Sequence, residues 1–270
     1  MNVQLNRVRG SLLKLGGLTL SVAVLANPFL CGQTKRAPFQ PGERLTYDVS
    51  WSVFQAGTVA STLQRTLDGT KEKYTVVTTA QSQGFTSLLF NVNNEFRSVF
   101  NPQTLCSEKI SKKIIEGRRR KETQIVFDAQ RKLAILDERD LTRPQDPPKH
   151  AESEIPSCVE DVVDAFYFLR NQDIQVGKPL HVAVNDGSRT YDVTLDVQAQ
   201  ETIQTPMGQR AAIRVEPKVF SGLFKRKGRM LIWFSNDEQH LPLRIRFIIA
   251  VGPITATLKS VTQVADKQAK

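Results

Sequence analysis

From Glu43 to Phe54 apolar and polar residues alternate almost without a break. Leu45, Tyr47, Val49, Trp51 and Val53 fall on one side, Thr46, Asp48, Ser50 and Ser52 on the other. A period of two is that of an extended strand with one covered and one wet face. Gln55-Ala56-Gly57 marks a turn, Val59, Leu63 and Leu67 continue the alternation, and Asp68-Gly69 signals a hairpin into a third strand at 73–81. Further strands are predicted over 95–100, 104–115, 118–128 and 132–137. After a gap they resume over 180–184, 191–198, 209–216, 228–235, 242–251 and 254–261. Most links are short, which makes neighbours antiparallel, and the one-sided alternation requires one covered face.

Two stretches depart from this period. Residues 157–170 read S-C-V-E-D-V-V-D-A-F-Y-F-L-R, with Val159, Val162, Val163, Phe166 and Leu169 at helical spacing. Ser157 and Glu160 have the spacing of a capping box, so the helix is predicted to begin there. An amphipathic helix amid strands must bury its face on the sheet, with Phe166 on the concave side. Phe85, Leu88, Leu89 and Val92 recur at i, i+3, i+4 and i+7, which predicts a short helix or ordered loop, apolar for a connector. The expected fold is therefore mainly β: a large curved antiparallel sheet, or an open barrel-like sandwich, of about a dozen strands with one central α-helix.

The remaining stretches divide the chain. Residues 1–26 carry Arg7, Arg9 and Lys14 and then an apolar run from Leu15 to Leu25, the pattern of a cleaved export signal. Cys31 raises a lipid anchor, but the preceding Pro-Phe-Leu lacks the small residue such a signal uses. Residues 27–42 read as a tether and 43–263 as a single β-rich domain. Its lobes, 43–137 and 157–263, are joined by a proline-rich linker at 138–156, and 264–270 form a polar tail. Export permits disulfides; Cys106 and Cys158 are either a pair or two unpaired thiols, a choice that spacing leaves open.

Charge and chemistry change this picture little. The chain has 37 basic and 27 acidic residues, a formal +10, and three of the basic residues lie in the leader. The runs Gly117-Arg118-Arg119-Arg120-Lys121 and Lys225-Arg226-Lys227 suit solvated hairpin tips or an anionic membrane surface. Without groove-reading context, and with export, nucleic acid is not an expected partner. His150, His181 and His240 have no metal-ligand spacing, and no nucleophile or glycine-rich phosphate signature occurs. No catalytic residue, metal or cofactor is expected. Glu160, Asp161 and Asp164 read as first-turn acids complementing the helix dipole. Asp161 and Arg170 lie too far apart to pair, so each needs a partner from the sheet.

Several stretches resemble a known family. Phe39 to Trp51, F-Q-P-G-E-R-L-T-Y-D-V-S-W, followed by Gly57, is similar to the opening of exported proteins grouped as domain of unknown function 3108. The helix matches that family's central pattern at Asp161, Ala165, Tyr167 and Arg170, with Asp164 where serine is usual. Thr205-Pro206-x-Gly208 and the run Ile232 to Leu243 resemble its later motifs. The resemblance spans about 40–263 and implies an exported, β-rich protein of Gram-negative-type bacteria with no established activity. The expected function is then binding of a lipid or other apolar ligand in the curved sheet by Tyr47, Trp51, Phe85, Leu88, Leu89, Phe166 and Trp233. The alternatives are an envelope scaffold that engages a protein partner without a cavity, and, further off, a hydrolase of an envelope polymer.

Overall fold

A computed structural model describes residues 37–218, 228–250 and 252–265. The leader, residues 27–36, the Lys225–Lys227 run and residues 266–270 lie outside them. The first half of the fold holds β1 (Glu43–Trp51), β2 (Phe54–Asp68), β3 (Lys71–Ser82), α1 (Gly84–Leu89), β4 (Asn93–Phe100), β5 (Ser107–Glu116), β6 (Arg119–Asp128), β7 (Leu133–Asp140) and β8 (Lys149–Glu154). Then come α2 (Ala165–Arg170), β9 (Leu180–Asn185), β10 (Thr190–Thr205), β11 (Gly208–Lys218), β12 (Arg229–Ser235), β13 (Pro242–Ile249) and β14 (Gly252–Gln263).

The fourteen strands of the described residues form one antiparallel sheet in the order β8-β7-β6-β5-β4-β3-β2-β1-β14-β13-β12-β11-β10-β9. Each half is a meander of hairpins, and β1 against β14 joins the halves, so the lobes are two wings of one sheet. Register shifts at Thr46/Tyr47, Val49/Ser50, Val99/Phe100, Val197/Ala199 and Trp233/Phe234 bend the strands. The curl brings the outer strands together. Asn185 Nδ2 donates to Ser153 Oγ at 3.1 Å, and Thr190 Oγ1 donates to the Glu154 carbonyl at 2.8 Å. The β9–β10 turn sits so close to β6 and β7 that a Cβ on Gly187 would lie 2.4 Å from Leu136 Cδ1; its φ of +96° also favours glycine.

The chain between β8 and α2 fills this seam. Glu160 N–H donates to the Ala183 carbonyl at 2.8 Å, and the Glu160 carbonyl accepts from Asn185 N–H at 2.9 Å, a parallel bridge onto β9. Ser107 N–H donates to the Val159 carbonyl at 2.9 Å. Cys158 is bonded to Cys106 at the start of β5, closing a 52-residue separation worth about 4 kcal/mol in chain entropy. The open choice over the cysteines is thus resolved as a pair.

Three expectations are corrected. The helix does not start at Ser157, because Cys158 and Glu160 are held by the disulfide and by β9. α2 begins only at Ala165, after a turn over 161–164 in which Asp161 and Asp164 each bond backbone amides of the other end. Asp161 Oδ1 accepts from Val163 N–H at 2.7 Å and Asp164 N–H at 3.2 Å, while Asp164 Oδ1 accepts from Asp161 N–H at 2.7 Å. The linker at 138–156 contains the end of β7 and all of β8, whose Ala151 side chain packs on a buried cluster around Ile125 and Leu136. The last residues of the tether are anchored, for Phe39 is buried edge-on against the Tyr167 ring at 5.0 Å.

Candidate functional site

α2 enters the concave side of the sheet as a plug fixed at both ends by polar groups. At its entrance Asp161 and Asp164 are fully enclosed. Ser98 Oγ of β4 donates to Asp161 Oδ2 at 2.7 Å, and Ser107 Oγ donates to Asp164 Oδ2. Burial raises the pKa of both carboxyls, and the mutual charges of Asp161 and Glu160 raise that of Asp164 further. Glu160, 2% exposed, is pushed up to about 8, chiefly by burial. These acids were expected only to complement the dipole at a helix start; they are buried joints, two of which spend their oxygens on backbone amides and serines. Among the described residues no group of three or more His, Cys, Asp or Glu could hold a metal ion.

At the far end Arg170, 1% exposed, ties three distant stretches together. Its NH1 and NH2 donate to the Glu43 carboxylate at 2.6 and 2.9 Å, NH2 to the Pro38 carbonyl at 3.3 Å and Nε to the Gln239 carbonyl at 3.1 Å. Its guanidinium also lies 5.2 Å from the Phe39 ring centre and 5.5 Å from that of Tyr167. His240 Nδ1 sits 3.0 Å from the Arg170 carbonyl. So Phe39 and Glu43 from the opening motif, Arg170 from the central one and Gln239-His240 from a late one meet at one point. Asp161 and Arg170 both find the sheet partners their spacing required.

Between these anchors the helix stands off from the sheet. A cavity of 370 Å³ lies under it, lined by Leu45, Tyr47, Val59 and Ala80 of the first strands, Phe96 of β4, Ile245 and Phe247 of β13, and Val162, Phe166 and Tyr167. A second hollow of 180 Å³ adjoins it on the β9–β12 side and shares Val162, Phe166 and Phe247. Three of the four clusters of buried side chains contribute to the walls of these hollows, through Leu45 and Tyr47, through Leu169 and Leu195, and through Tyr167. Arg170, paired with Glu43, lines one end of the larger hollow. Val162 and Phe247, each more than a third exposed, mark the side on which the hollow meets solvent. Ser61, Thr78 and Arg170 interrupt the apolar lining, and beside Ser61 the buried Tyr167 hydroxyl makes no well-aligned hydrogen bond, although Ser61 is near enough to oppose the rise in its pKa. Burial and the neighbouring Glu43 push its pKa up to about 12, so it is a neutral donor at ordinary pH.

Of the residues expected to bind a ligand, the structure brings Tyr47 and Phe166 to this hollow. Trp51 lies at the end of β1 beyond the Val49/Ser50 shift and is half-exposed. Trp233 is buried against Leu45 and Leu243, with Nε1 donating to Glu201 and Arg244 over its ring. Phe85, Leu88 and Leu89 lie on α1, which has no buried residue and borders no part of the hollow. Sequence reasoning missed Leu45, Phe96 and Phe247, which are ordinary strand residues by pattern, and Tyr167, which was visible as a motif residue.

Residues 46–259 match the model of the family described as protein of unknown function (DUF3108). The chain therefore belongs to that family. Among solved structures it is similar to a β-barrel-like protein of domain of unknown function DUF1849 from Brucella abortus. The TM-score is 0.55 with 9% identity, over 83% of this chain and 98% of that one. It is also similar to a protein with a YmcC-like fold from Bacteroides fragilis, with a TM-score of 0.37 and 8% identity over 84% and 98% of the two chains. No curated protein matches it. At such identity the first likeness speaks for the fold alone: a curved, barrel-like antiparallel sheet. No helix among the described residues is long and apolar enough to cross a membrane.

Proposed function

Starting from membership of the DUF3108 family, we propose that this chain is an exported, non-catalytic envelope protein that holds an amphiphile, an apolar chain with one polar end, in the hollow beneath α2. The observation that carries the reading is the 370 Å³ cavity lined almost wholly by apolar side chains, at the lower end of the range of small-molecule pockets. The poorly satisfied Tyr167 hydroxyl, with Ser61 beside it, sets the orientation. A buried hydroxyl without a partner is destabilising, and a ligand carbonyl or carboxylate reaching Tyr167 and Ser61 would remove that cost. Tyr47 and Phe166 contact the chain of the ligand. Export is supported by the basic-then-apolar leader and by the Cys106–Cys158 bond, which suits an oxidising compartment. A scaffold would use surface charge and a strand edge; here the outer strand β8 is bonded to β9 through Ser153 and Asn185 and to the start of β10 through Glu154 and Thr190, which leaves less edge to offer.

The test is native mass spectrometry of the full chain purified from an envelope, with uptake of a fluorescent fatty acid as the in-vitro arm. A co-purifying lipid, or uptake that Tyr167→Phe weakens while leaving stability within about 1 kcal/mol, is expected. Neither a co-purified lipid nor fatty-acid uptake by delipidated protein would sink the reading.

A further inference from the structure

The end of the sheet where β1 turns into β2 carries side chains that the fold leaves uncovered. Val53 and Phe54 form the tip of that hairpin, and Phe85, Leu88 and Leu89 project from α1, followed by Phe90. All six are between 53% and 84% exposed. They are one surface, because α1 is fastened to the hairpin: Gln83 N–H donates to the Ala56 carbonyl at 2.9 Å, and Thr86 Oγ1 to the Gln55 carbonyl at 3.4 Å. The surface continues onto the β5–β6 tip. Gly117 N–H donates to the Asn91 carbonyl at 2.7 Å, and a Cβ on Gly117 would lie 3.1 Å from the Phe90 ring. That tip is Arg118-Arg119-Arg120, all exposed, with Glu116 paired to Arg119 at 3.5 Å as the adjoining acid.

We propose that this end is a membrane-docking surface, in which the apolar tips enter the interface of an anionic phospholipid leaflet and Arg118–Arg120 engage its head groups. A contiguous apolar patch rimmed by cations has the composition of an interfacial anchor. The occupant is a lipid surface rather than a second copy, since a two-fold contact through these tips would bring two arginine triplets together. A short helix with no buried face gains nothing from the fold itself, so its apolar residues have a use only when covered. The half-exposed Phe247 lies toward the same strand ends, since it pairs with Ile254 and Ile254 with Trp51 beside the hairpin tip, so docking turns the Phe247 side of the hollow to the leaflet. The docking itself does not require that the hollow hold a lipid.

The experiment places an environment-sensitive NBD label on Leu88→Cys in a full chain that also carries Cys31→Ser, the other two cysteines being bonded to each other. Vesicles are phosphatidylcholine with one-third phosphatidylglycerol, or phosphatidylcholine alone. The label should brighten and shift to the blue on the anionic vesicles, and the change should fade with added salt. Replacing Arg118, Arg119 and Arg120 by Glu should raise the vesicle dissociation constant by roughly a hundredfold or more, about fivefold for each cation removed before the added repulsion. An unchanged label on vesicles that the chain binds by another segment would overturn the proposal. So would a change that needs no vesicles and scales with protein concentration, which would assign the surface to a second copy. Fatty-acid uptake persisting in either case would leave the reading of the hollow standing.

Discussion

Breaking the Arg170–Glu43 pair tests whether α2 is held by polar pins or by apolar contact. Arg170→Met removes the guanidinium but keeps its length, leaving a Glu43 carboxylate that is 7% exposed without its two donors and the Pro38 and Gln239 carbonyls each one donor short. Stranding a buried charge of this kind costs about 3–5 kcal/mol. Glu43→Leu alone should cost a similar amount by stranding Arg170. The double variant removes both charges, fills most of the space with methylenes and leaves only the two carbonyls underserved, a loss of about 1 kcal/mol each. It should therefore be more stable than either single variant. Urea denaturation with the disulfide intact reads all four proteins, with a constant m value as the check that each unfolds in one step. Losses that simply add in the double variant would refute the pin, since additivity is what independent sites show.

Two further outcomes follow from the same interior. Phe166→Ala in ligand-free protein should cost only about 1–2 kcal/mol rather than the 3–5 of a packed core phenylalanine, because Phe166 borders void on both sides; a loss above 3 in a urea melt would count against an open hollow. The pH profile should be unusual. Glu160 keeps its proton in the fold up to about 8 but releases it near the ordinary 4.5 when unfolded, so stability declines as pH rises through that window. Glu216, held down to about 2 chiefly by the Arg229 hydrogen bonds, contributes stability above its ordinary value that is lost as pH falls toward 2. Thermal melts should peak at about pH 5, and Glu160→Gln should flatten the neutral limb; an unaltered limb would show that Glu160 ionises in the fold without penalty.

The sheet was legible because its signals are local. Alternation from Leu45 to Val53 and again over 191–198, with Asp68-Gly69 as a turn, states the strand, its wet face and its neighbour. The helix start was misplaced because two boxes compete within eight residues, Ser157–Glu160 and Asp161–Asp164. Only the tertiary bridge of Glu160 to β9 and the bond of Cys158 decide between them. β8 was hidden by Pro144, Pro147 and Pro148 just before it, although prolines in a turn do not prevent an outer strand from following. The candidate site was harder still. Aromatic residues were chosen by type, and type does not say which of them line a void: Trp233 packs and Leu88 is bare, while plain Leu45 and Phe96 border the hollow.

The hollow itself has a physical cause in the way the helix is anchored. A helix attached to a sheet only by apolar side chains settles until they interlock, since dispersion and burial both favour closure. α2 is not free to settle. Asp161 is fixed to Ser98 and to the turn amides at one end, and Arg170 to Glu43, Pro38 and Gln239 at the other. Hydrogen bonds of this kind hold their length and direction, so two sets of them define a standoff that the intervening Val162, Val163 and Phe166 cannot collapse. The carboxyl groups raised in pKa and the enclosed ion pair are costs that a purely apolar plug would avoid. They sit at the two ends of the helix, Arg170 at the edge of the cavity, while Val162, Val163 and Phe166 between them are apolar, an arrangement that holds the helix at its ends and leaves the cavity open.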